Sequence, residues 1–363
     1  MTSATIAAVD ARLIRVPLAR PWAADVTAVG VIATHVVRSD GAEGWGFSWT
    51  PQIGASAVVA LLQDDIPTFA IGRTADPEQL WQRAWEHLHE AGGGGLTTIA
   101  LAGLDLALWD AAARAADASL SGLLGRRRDR VRAYGSGVNL HYSLDELVSQ
   151  VRRWVDARFD AVKVKVGKPD VAEDLERLTA VREVLGPDRD LMIDANQRWS
   201  LERATASLEV LAVVRPAWIE EPLRADDLAG HTELARRLAA SSRLPIAVGE
   251  NLHTTYRFAE FVDAGAAQIV QPNIVRVGGI TPFRRIVALA DAHGAQLHPH
   301  LLPELSGQLA LTLDGALGDA VLVEDVEDAG FGALGALSDP SPVAVARGIL
   351  TESDHRGLGL RFR

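Results

Sequence analysis

The chain has 363 residues, with 47 acidic and 36 basic side chains, a formal net charge of -11 and no cysteine. The acidic excess is spread without long runs, which argues against a nucleic-acid partner, and the lack of cysteine excludes disulfide bonds and thiolate metal sites. No signal-peptide pattern precedes residue 21, and no uninterrupted apolar run reaches the ~20 residues of a membrane span. We therefore expect a cytoplasmic protein without a membrane partner, long enough for two domains.

The N-terminal part of the chain predicts an α+β unit. Residues 6–17 and 31–38 have the composition of strands, and helices are expected at 55–64, 77–90 and 96–116. The last helix is the most apolar, but it carries two aspartates and is expected to be buried in the protein. Strands followed by helices are typical of an α+β domain. We place this domain at residues 1–130.

From residue 131 onward, strands and helices alternate. Strands are expected to begin near residues 131, 161, 190, 217, 245, 267, 295 and 320, with seven helices between them. The helix at 144–157 opens with a capping box, Ser143 and Glu146. A repeat of roughly 25 to 30 residues is the length of one strand-helix unit in a parallel barrel. We place the barrel at residues 131–325 and expect the tail, 326–363, to pack on the first domain.

Three successive predicted strands end in a carboxylate: Asp194, Glu220 and Glu250. All strands of such a barrel end at the same rim, so these side chains are expected to converge. All-oxygen ligation suits Mg²⁺ better than zinc. Each acid alone could equally be a helix cap or a surface charge. Asn196 shares a strand face with Asp194, whereas Glu221 lies on the opposite face from Glu220 and is expected outside the site.

Two lysines lie on one face of the second predicted barrel strand. Lys163 and Lys165 alternate with valines, so the lysines are expected to point into the barrel and the valines towards the helices. Two neighbouring ammonium groups repel, which is expected to lower the pKa of at least one of them. Such a lysine can serve as a general base.

Further polar residues follow on the last two predicted strands. His298 and His300 share a face; His300 lies nearer the rim and is given the chemical role, whereas His298 is expected to be structural. Glu324 ends the last strand and is either an ordinary loop acid or a hydrogen-bonding partner of the substrate. A cation held by carboxylates, with a lysine and a histidine beside it, predicts binding of a substrate carboxylate and removal of its α-proton, giving an enediolate.

These residues occur in motifs that resemble the enolase superfamily, and within it the mandelate racemase-like group. The motifs cover nearly the whole chain: Lys163-x-Lys165, Asp194-Ala195-Asn196-Gln197, Trp218-Ile219-Glu220-Glu221-Pro222, Gly249-Glu250-Asn251, Val277-Gly278-Gly279, Pro299-His300, Glu324 and Ala107-Leu108-Trp109-Asp110.

The resemblance implies an α/β fold: a modified (β/α)7β barrel with an α+β capping domain built from both termini. It also implies Asp194, Glu220 and Glu250 as Mg²⁺ ligands. Lys165 and His300 would be the acid/base residues, with Lys163 as an electrostatic neighbour of Lys165. A homo-oligomer, between a dimer and an octamer, is expected from family habit.

One departure from the family pattern bears on the reaction. The aspartate that pairs with the catalytic histidine in mandelate racemase-like proteins is replaced by Asn273. An amide can orient the imidazole, but it supplies no negative charge to stabilise imidazolium. Racemisation needs a competent base on both faces of the substrate. We therefore favour dehydration of an acid sugar to a 2-keto-3-deoxy acid, with a racemase or epimerase of α-hydroxy or acyl-amino acids as the alternative.

Substrate specificity is expected to come from the capping domain. The segments 21–24 and 44–49 have the composition of mobile loops that could close over the site, bringing Trp22 and Trp49 to the substrate. Ordinary turns with packed aromatic residues are an equal alternative. Arg198, directly after the metal strand, either meets the distal part of the substrate or lies on the surface.

Three other interpretations are less favoured. Cycloisomerases of this group carry a lysine on the sixth strand, where Gln271 and Asn273 stand in this chain. Metallohydrolase barrels carry His-x-His on the first strand, where this chain has Ala133-Tyr134-Gly135. A ligand-binding barrel without catalysis would not need the two lysines, three acids and histidine together.

Overall fold

The computed structural model describes residues 4–23 and 25–363. The chain begins with an antiparallel three-stranded sheet made of β1 (Ile6–Pro17), β2 (Ala28–Arg38) and β3 (Glu43–Thr50). The helices that follow are α1 (Ala55–Ala60), α2 (Ile66–Ala70), α3 (Pro77–Leu88), α4 (Leu96–Ala115) and α5 (Leu120–Leu123), with a π-helical turn at Leu61–Asp65 and a 3₁₀ turn at His89–Ala91. The α+β character of this unit is as predicted, except that the first helix is divided by the π-helical turn.

The segment 44–49, predicted as a mobile loop, is instead part of β3. It pairs with β2 along its whole length. Its glycines are explained by packing, since a side chain at Gly46 would collide with the backbone of Gly103 in α4. Glycine here allows a helix to approach a strand closely and does not provide loop mobility. Of the other proposed loop, 21–24, residue 24 lies outside the described part of the chain; Trp22 donates its backbone N–H to the carbonyl of Val26 at 3.0 Å in a tight turn.

Helix α4 is the central helix of the capping unit. By length and composition it could cross a membrane, but 89% of its most apolar stretch is buried inside the protein. The carboxylate of Asp110 accepts the backbone N–H groups of Trp45, at 2.9 Å, and Leu358, at 2.6 Å. The helix therefore joins β3 to the C-terminal tail as a core element.

The barrel contains eight parallel strands, and β11 returns to pair with β4. The strands are β4 (Arg130–Ser136), β5 (Ala161–Lys165), β6 (Asp190–Asp194), β7 (Ile219–Glu220), β8 (Ile246–Val248), β9 (Ile269–Val270), β10 (Gln296–Leu297) and β11 (Leu322–Val326). The helices in the seven crossovers are α6 (Leu144–Asp156), α7 (Val171–Leu185), α8 (Leu201–Leu211, with a 3₁₀ turn at Ala212–Val214), α9 (Leu228–Ala240), α10 (Thr255–Asp263), α11 (Ile280–His293), α12 (Pro303–Ala310) and α13 (Gly315–Ala320). The predicted strand order and the capping box at Ser143 are confirmed.

Alternating residues of the barrel strands face two different environments. Outward residues such as Val162 and Val164 pack in the main core with the surrounding helices. Inward apolar residues form a second, smaller cluster that closes the amino-terminal end of the barrel: Tyr134, Ala161, Met192, Trp218, Ala247, Ile269 and Leu322. We call this cluster the floor. The opposite, carboxyl-terminal end is the rim.

The C-terminal tail, predicted to pack on the first domain, contacts that unit and also adds to the barrel. Its hairpin, β12 (Val343–Ala346) and β13 (Ile349–Glu352), adds to the barrel sheet by antiparallel pairing of β13 with β4. The tail also contacts the capping unit, at its start through the Phe331 ring, 5.2 Å from that of Phe47, and at its end through the Phe362 carbonyl, which accepts the Arg12 side chain at 3.0 Å. The sequence did not predict the pairing of β13 with β4, because the hairpin lacks the crossover helix that marks the other barrel strands.

Candidate active site at the barrel rim

Three carboxylates converge at the rim, as the sequence predicted. Asp194 ends β6, Glu220 ends β7 in register with it, and Glu250 follows β8 by two residues. One oxygen from each lies within 4.8 Å of the others. Asp194 and Glu220 are buried and Glu250 is half-buried. This spacing and this donor type could hold one hard divalent cation.

Both lysines of β5 point into the barrel and pair with acids from other strands. The ammonium of Lys163, fully buried, lies 2.7 Å from Glu220, 2.7 Å from Glu324 and 3.7 Å from Asp194. The ammonium of Lys165 pairs with Asp194 and borders the cavity above. Lys163 is thus held below the rim, whereas Lys165 can reach a bound molecule.

The predicted lowering of a lysine pKa is wrong for this arrangement. Burial by itself lowers the pKa of Lys163, but the carboxylates of Glu220 and Glu324 outweigh it and raise the pKa well above its usual value. Burial also lowers the pKa of Lys165, but the carboxylate of Asp194 outweighs burial. The pKa of Lys165 is therefore raised as well. The sequence argument counted the neighbouring lysine but not the acids that the other strands bring to it.

The charge balance of the cluster favours a divalent cation. Burial raises the pKa of Glu220 to about 7, although Lys163 pulls it down. Four carboxylates face two ammonium groups and the Arg276 guanidinium, which lies 3.9 Å from Glu250, so the negative groups outnumber the permanent cations. The four carboxylates are Asp194, Glu220, Glu250 and Glu324. A low-dielectric site with that excess is stabilised by a doubly charged ion, so the residues present fit Mg²⁺.

His300 lies across the cavity from Lys165 and is held by Asn273. Its Nε2 lies 3.1 Å from Glu250 and 3.7 Å from Glu324. The Asn273 amide oxygen accepts the backbone N–H of Arg276 at 3.1 Å, which turns the amide nitrogen towards His300 Nδ1 at 3.0 Å. Because an amide N–H donates, Nδ1 is the acceptor and Nε2 carries the hydrogen of the neutral imidazole. Asn273 therefore favours the Nε2–H tautomer of the neutral imidazole, in which Nε2 is a donor.

His298 occupies the structural position predicted for it. It lies among the floor residues, where its ring stacks on Trp218 with centroids 5.1 Å apart and its Nδ1 accepts the backbone N–H of Leu322 at 3.1 Å. Burial, reinforced by the charge of Arg132, lowers its pKa to about 3. It is neutral at physiological pH.

Two residues near the acids were missed or misplaced by sequence reasoning. Glu221 is buried, not outside, because its φ of 38° breaks the strand alternation; it accepts the Asn251 side-chain N–H at 2.7 Å. Gln271 donates to Glu220 at 2.7 Å. No pattern predicted the backbone change at Glu221, whereas the inward position of Gln271 could have been read from strand alternation.

A cavity of about 200 Å³ opens above the acids. Asn196 lines it together with the reactive residues, and Trp22 and Trp49 form its outer wall, with ring centroids 6.1 Å apart at an interplanar angle of 54°. Arg198 does not line it; this side chain is exposed and lies against Gly167. The structure thus brings both tryptophans to the cavity through a turn and a strand, and leaves Arg198 on the surface.

Two family sequence profiles together match most of the chain. The profile described as the N-terminal domain of mandelate racemase / muconate lactonizing enzyme matches residues 4–125, and the profile described as enolase C-terminal domain-like matches residues 146–363.

Individual proteins with known names are also similar. The chain is 35% identical to the 3,6-anhydro-alpha-L-galactonate cycloisomerase of Streptomyces coelicolor, over 91% of this chain and 88% of that protein. It is 37% identical to the L-talarate/galactarate dehydratase of Salmonella typhimurium, over 77% of this chain and 70% of that protein. Among solved structures, a racemase from Streptomyces coelicolor A3(2) with bound magnesium superimposes with a TM-score of 0.89 at 32% identity, over 98% of this chain and 97% of that one.

Proposed function

This chain belongs to the mandelate racemase / muconate lactonizing enzyme family of the enolase superfamily, and from that premise we propose that it is a Mg²⁺-dependent lyase acting on a sugar acid. The proposed reaction removes the α-proton of the carboxylate substrate and expels the oxygen on the β-carbon. The product is a 2-keto-3-deoxy acid. The observation that carries the proposal is the pairing of Lys165 and His300 on either side of a cluster of three carboxylates.

Asp194, Glu220 and Glu250 would hold the cation, which their mutual spacing and charge favour. When bound, Mg²⁺ supplies Lewis-acid stabilisation of negative charge on the substrate carboxylate. Lys163, fully buried beneath the site, adds a fixed positive charge. Lys163 and a bound cation would together lower the energy of the dianionic enediolate relative to its energy in water.

Lys165 is the proposed base. Its pKa is raised by Asp194, so a base role requires that the charge of Asp194 be neutralised by another cation. The positive charge of Lys163 lowers the pKa of Lys165 and then favours loss of its proton. It takes the proton from the α-carbon, and the electron pair of the broken C–H bond enters the enediolate.

The Asn273 amide supports elimination over racemisation. A neutral His300 that carries its hydrogen on Nε2 can donate a hydrogen bond to the departing β-oxygen, but it has no free Nε2 lone pair with which to abstract a proton from the second face. The proton that the departing oxygen needs is then returned by the Lys165 ammonium. On this scheme the α-hydrogen and the β-oxygen leave from the same face.

A second candidate reaction differs from dehydration only in the oxygen that leaves the β-carbon. If the β-oxygen is part of a ring, its expulsion opens the ring and releases no water, so the product is an isomer of the substrate. The similarity to a named cycloisomerase over 91% of this chain favours this candidate. The absence of a lysine at Gln271 and Asn273 does not exclude it, since only one base is required.

Incubation of the Mg²⁺-loaded protein in D₂O with open-chain and ring-closed sugar acids tests both candidates. A keto acid lighter than the substrate by one water indicates dehydration, and an isomeric keto acid indicates ring opening. Deuterium uptake at the α-carbon without a keto acid would support the racemase alternative. The proposal would be overturned if no sugar acid gave a keto acid or exchanged its α-proton.

We also propose that the protein is a cytoplasmic homo-oligomer, an expectation from the family alone. Size-exclusion chromatography with light scattering would measure the number of chains. A monomer at micromolar concentration would contradict the expectation.

A further inference from the structure

The cavity at the rim has two chemically different ends. The reactive end carries Lys165, Glu250, His300 and Glu324. The outer wall is apolar and is formed by Trp22, Trp49, Pro51, Val138, Leu301 and Val326. A molecule whose carboxylate lies at the acids must therefore place its other half against tryptophan, proline and aliphatic side chains.

The cations that border this cavity lie at the reactive end. Among the described residues that line it, only Lys165 and Arg276 are positively charged. The Arg276 guanidinium donates to the Glu250 backbone carbonyl at 2.9 Å and to the Asn251 side chain. It is thereby tied to the loop that carries Glu250 and is not directed to the tryptophan wall.

An adjoining pocket of about 120 Å³ lies beyond Trp22 and Val138 and contains two arginines. Both are already paired. Arg20 lies 3.0 Å from Glu146, and Arg153 makes hydrogen bonds of 2.8 and 2.9 Å with the two oxygens of Glu327. Neither offers an uncompensated charge to a second anionic group.

We infer that the substrate is a monocarboxylic sugar acid with an uncharged distal half, closed into a ring whose C–H face packs in the corner between Trp22 and Trp49. This inference rests on the proposed function and narrows it. A second carboxylate would be desolvated against the apolar wall without a partner, which weakens binding. A ring instead buries apolar surface on the two indoles and loses little conformational entropy. Dicarboxylic sugar acids are therefore poor ligands of this chain.

Calorimetric titration of the Mg²⁺-loaded protein tests the inference directly. The ligands are an aldonate, the aldarate of the same stereochemical series, which differs only at the distal carbon, and an aldonate with an anhydro ring in its distal half. We expect the ring acid to bind most tightly and the aldarate at least about tenfold more weakly than the aldonate. An aldarate that binds as tightly as the aldonate, or more tightly, would overturn the inference.

Two substitutions in the wall provide independent checks. Val138→Arg adds a cation at the boundary of the cavity and is expected to raise aldarate affinity about tenfold relative to aldonate affinity, whereas Val138→Leu is the size control and should not. Trp22→Ala is expected to weaken the ring acid about tenfold, with Trp85→Ala, on helix α3 away from the cavity, as the matched control. Equal effects of Trp22→Ala and Trp85→Ala on ring-acid affinity would count against a contact with Trp22.

Failure of this inference is distinguishable from failure of the proposed function. The inference concerns binding preference, and the proposed function concerns proton abstraction. Preferred binding of the ring acid without α-deuterium exchange in D₂O would leave the inference standing and overturn the proposed function. Tight binding and turnover of the aldarate would do the reverse.

Discussion

The floor and the rim of the barrel are built from the same strands, only two residues apart, yet they have opposite chemistry. Met192 lies in the floor and Asp194 at the rim; Trp218 and Glu220, on the next strand, repeat the step. The floor is apolar and contains a neutral histidine, whereas the rim gathers four carboxylates and Lys165, with Lys163 directly below them. Two residues along a strand therefore separate the apolar layer of the floor from the charged layer of the rim.

The backbone conformation at the rim is also unusual. Residues directly after the strands at the rim adopt left-handed conformations without being glycine, among them Asn196 (φ 42°), Glu221 (φ 38°) and Leu301 (φ 56°). Such conformations are costly and persist where the surroundings enforce them. The floor therefore contributes apolar packing, whereas the rim holds charges and left-handed turns that packing alone does not require.

The largest expected effect comes from replacing a histidine by leucine, which can be done once at the rim and once in the floor. His300→Leu removes the donor at the rim and is expected to lower kcat/KM by about 10² to 10⁴. His298→Leu leaves the buried Leu322 N–H without its acceptor and is expected to cost roughly 1–3 kcal/mol of unfolding free energy with little change in activity. Steady-state kinetics and urea denaturation of both variants measure this. If His298→Leu remained folded but lost activity as severely as His300→Leu, the division into a structural floor and a reactive rim would be wrong.

Removal of a carboxylate from the rim should show in metal affinity without any turnover measurement. Glu250→Gln is expected to weaken Mg²⁺ binding by about 100-fold or more, and Glu221→Gln by about tenfold, because Glu221 holds Asn251 beside Glu250. Isothermal titration with Mg²⁺ measures both. Glu233→Gln, on the outer surface of α9, is the control; a similar loss there would show that the effect is not local to the rim.

Asp105 is a buried carboxylate that lies outside the cavity and can be compared with the acids of the rim. It accepts the backbone N–H of Thr281 at 3.0 Å and the Thr281 hydroxyl at 2.6 Å, where α4 meets the start of α11. Burial raises its pKa from 3.8 to about 7, although these hydrogen bonds oppose the shift. Between about pH 4 and pH 7 the unfolded chain has released this proton while the folded protein retains it, so stability falls as pH rises, by up to roughly 4 kcal/mol.

Asp105→Asn removes that titration, and the other groups are common to both proteins. The difference in unfolding free energy between variant and parent should therefore change in favour of the variant by up to roughly 4 kcal/mol from about pH 4 to pH 7. Urea denaturation at a series of pH values measures the difference. A pH-independent difference would show that Asp105 is ionised in the folded protein throughout this range.

The smallest expected effect is in the floor. The indole N–H of Trp218 has no hydrogen-bond partner among the described residues, so Trp218→Phe loses packing volume only. We expect a cost of ~1–2 kcal/mol, below the 3–5 kcal/mol of a full truncation to alanine, and kcat within about twofold of the parent. Thermal unfolding and kinetics of this variant measure both; a large loss of kcat would mean that the floor positions the rim more directly than its apolar packing suggests.

Much of this molecule could be predicted from local pattern. Strand alternation placed Lys163 and Lys165 inside the barrel, and the capping box at Ser143 fixed the start of α6. These features depend on neighbours within a few residues of each other. The position of Glu221 could not be predicted, because a single positive φ reverses the face on which a side chain emerges.

The amino-acid pattern was enough to predict the barrel, the family and the convergence of Asp194, Glu220 and Glu250, since parallel strands of similar length end at one rim. The electrostatics of the site depend instead on how the strands pack. The pKa of Lys165 depends on Asp194, and the tautomer of His300 depends on an Asn273 amide that is oriented by Arg276. Coulomb interactions and hydrogen bonds depend on distances between strands, and those distances are set by packing and not by spacing along the chain.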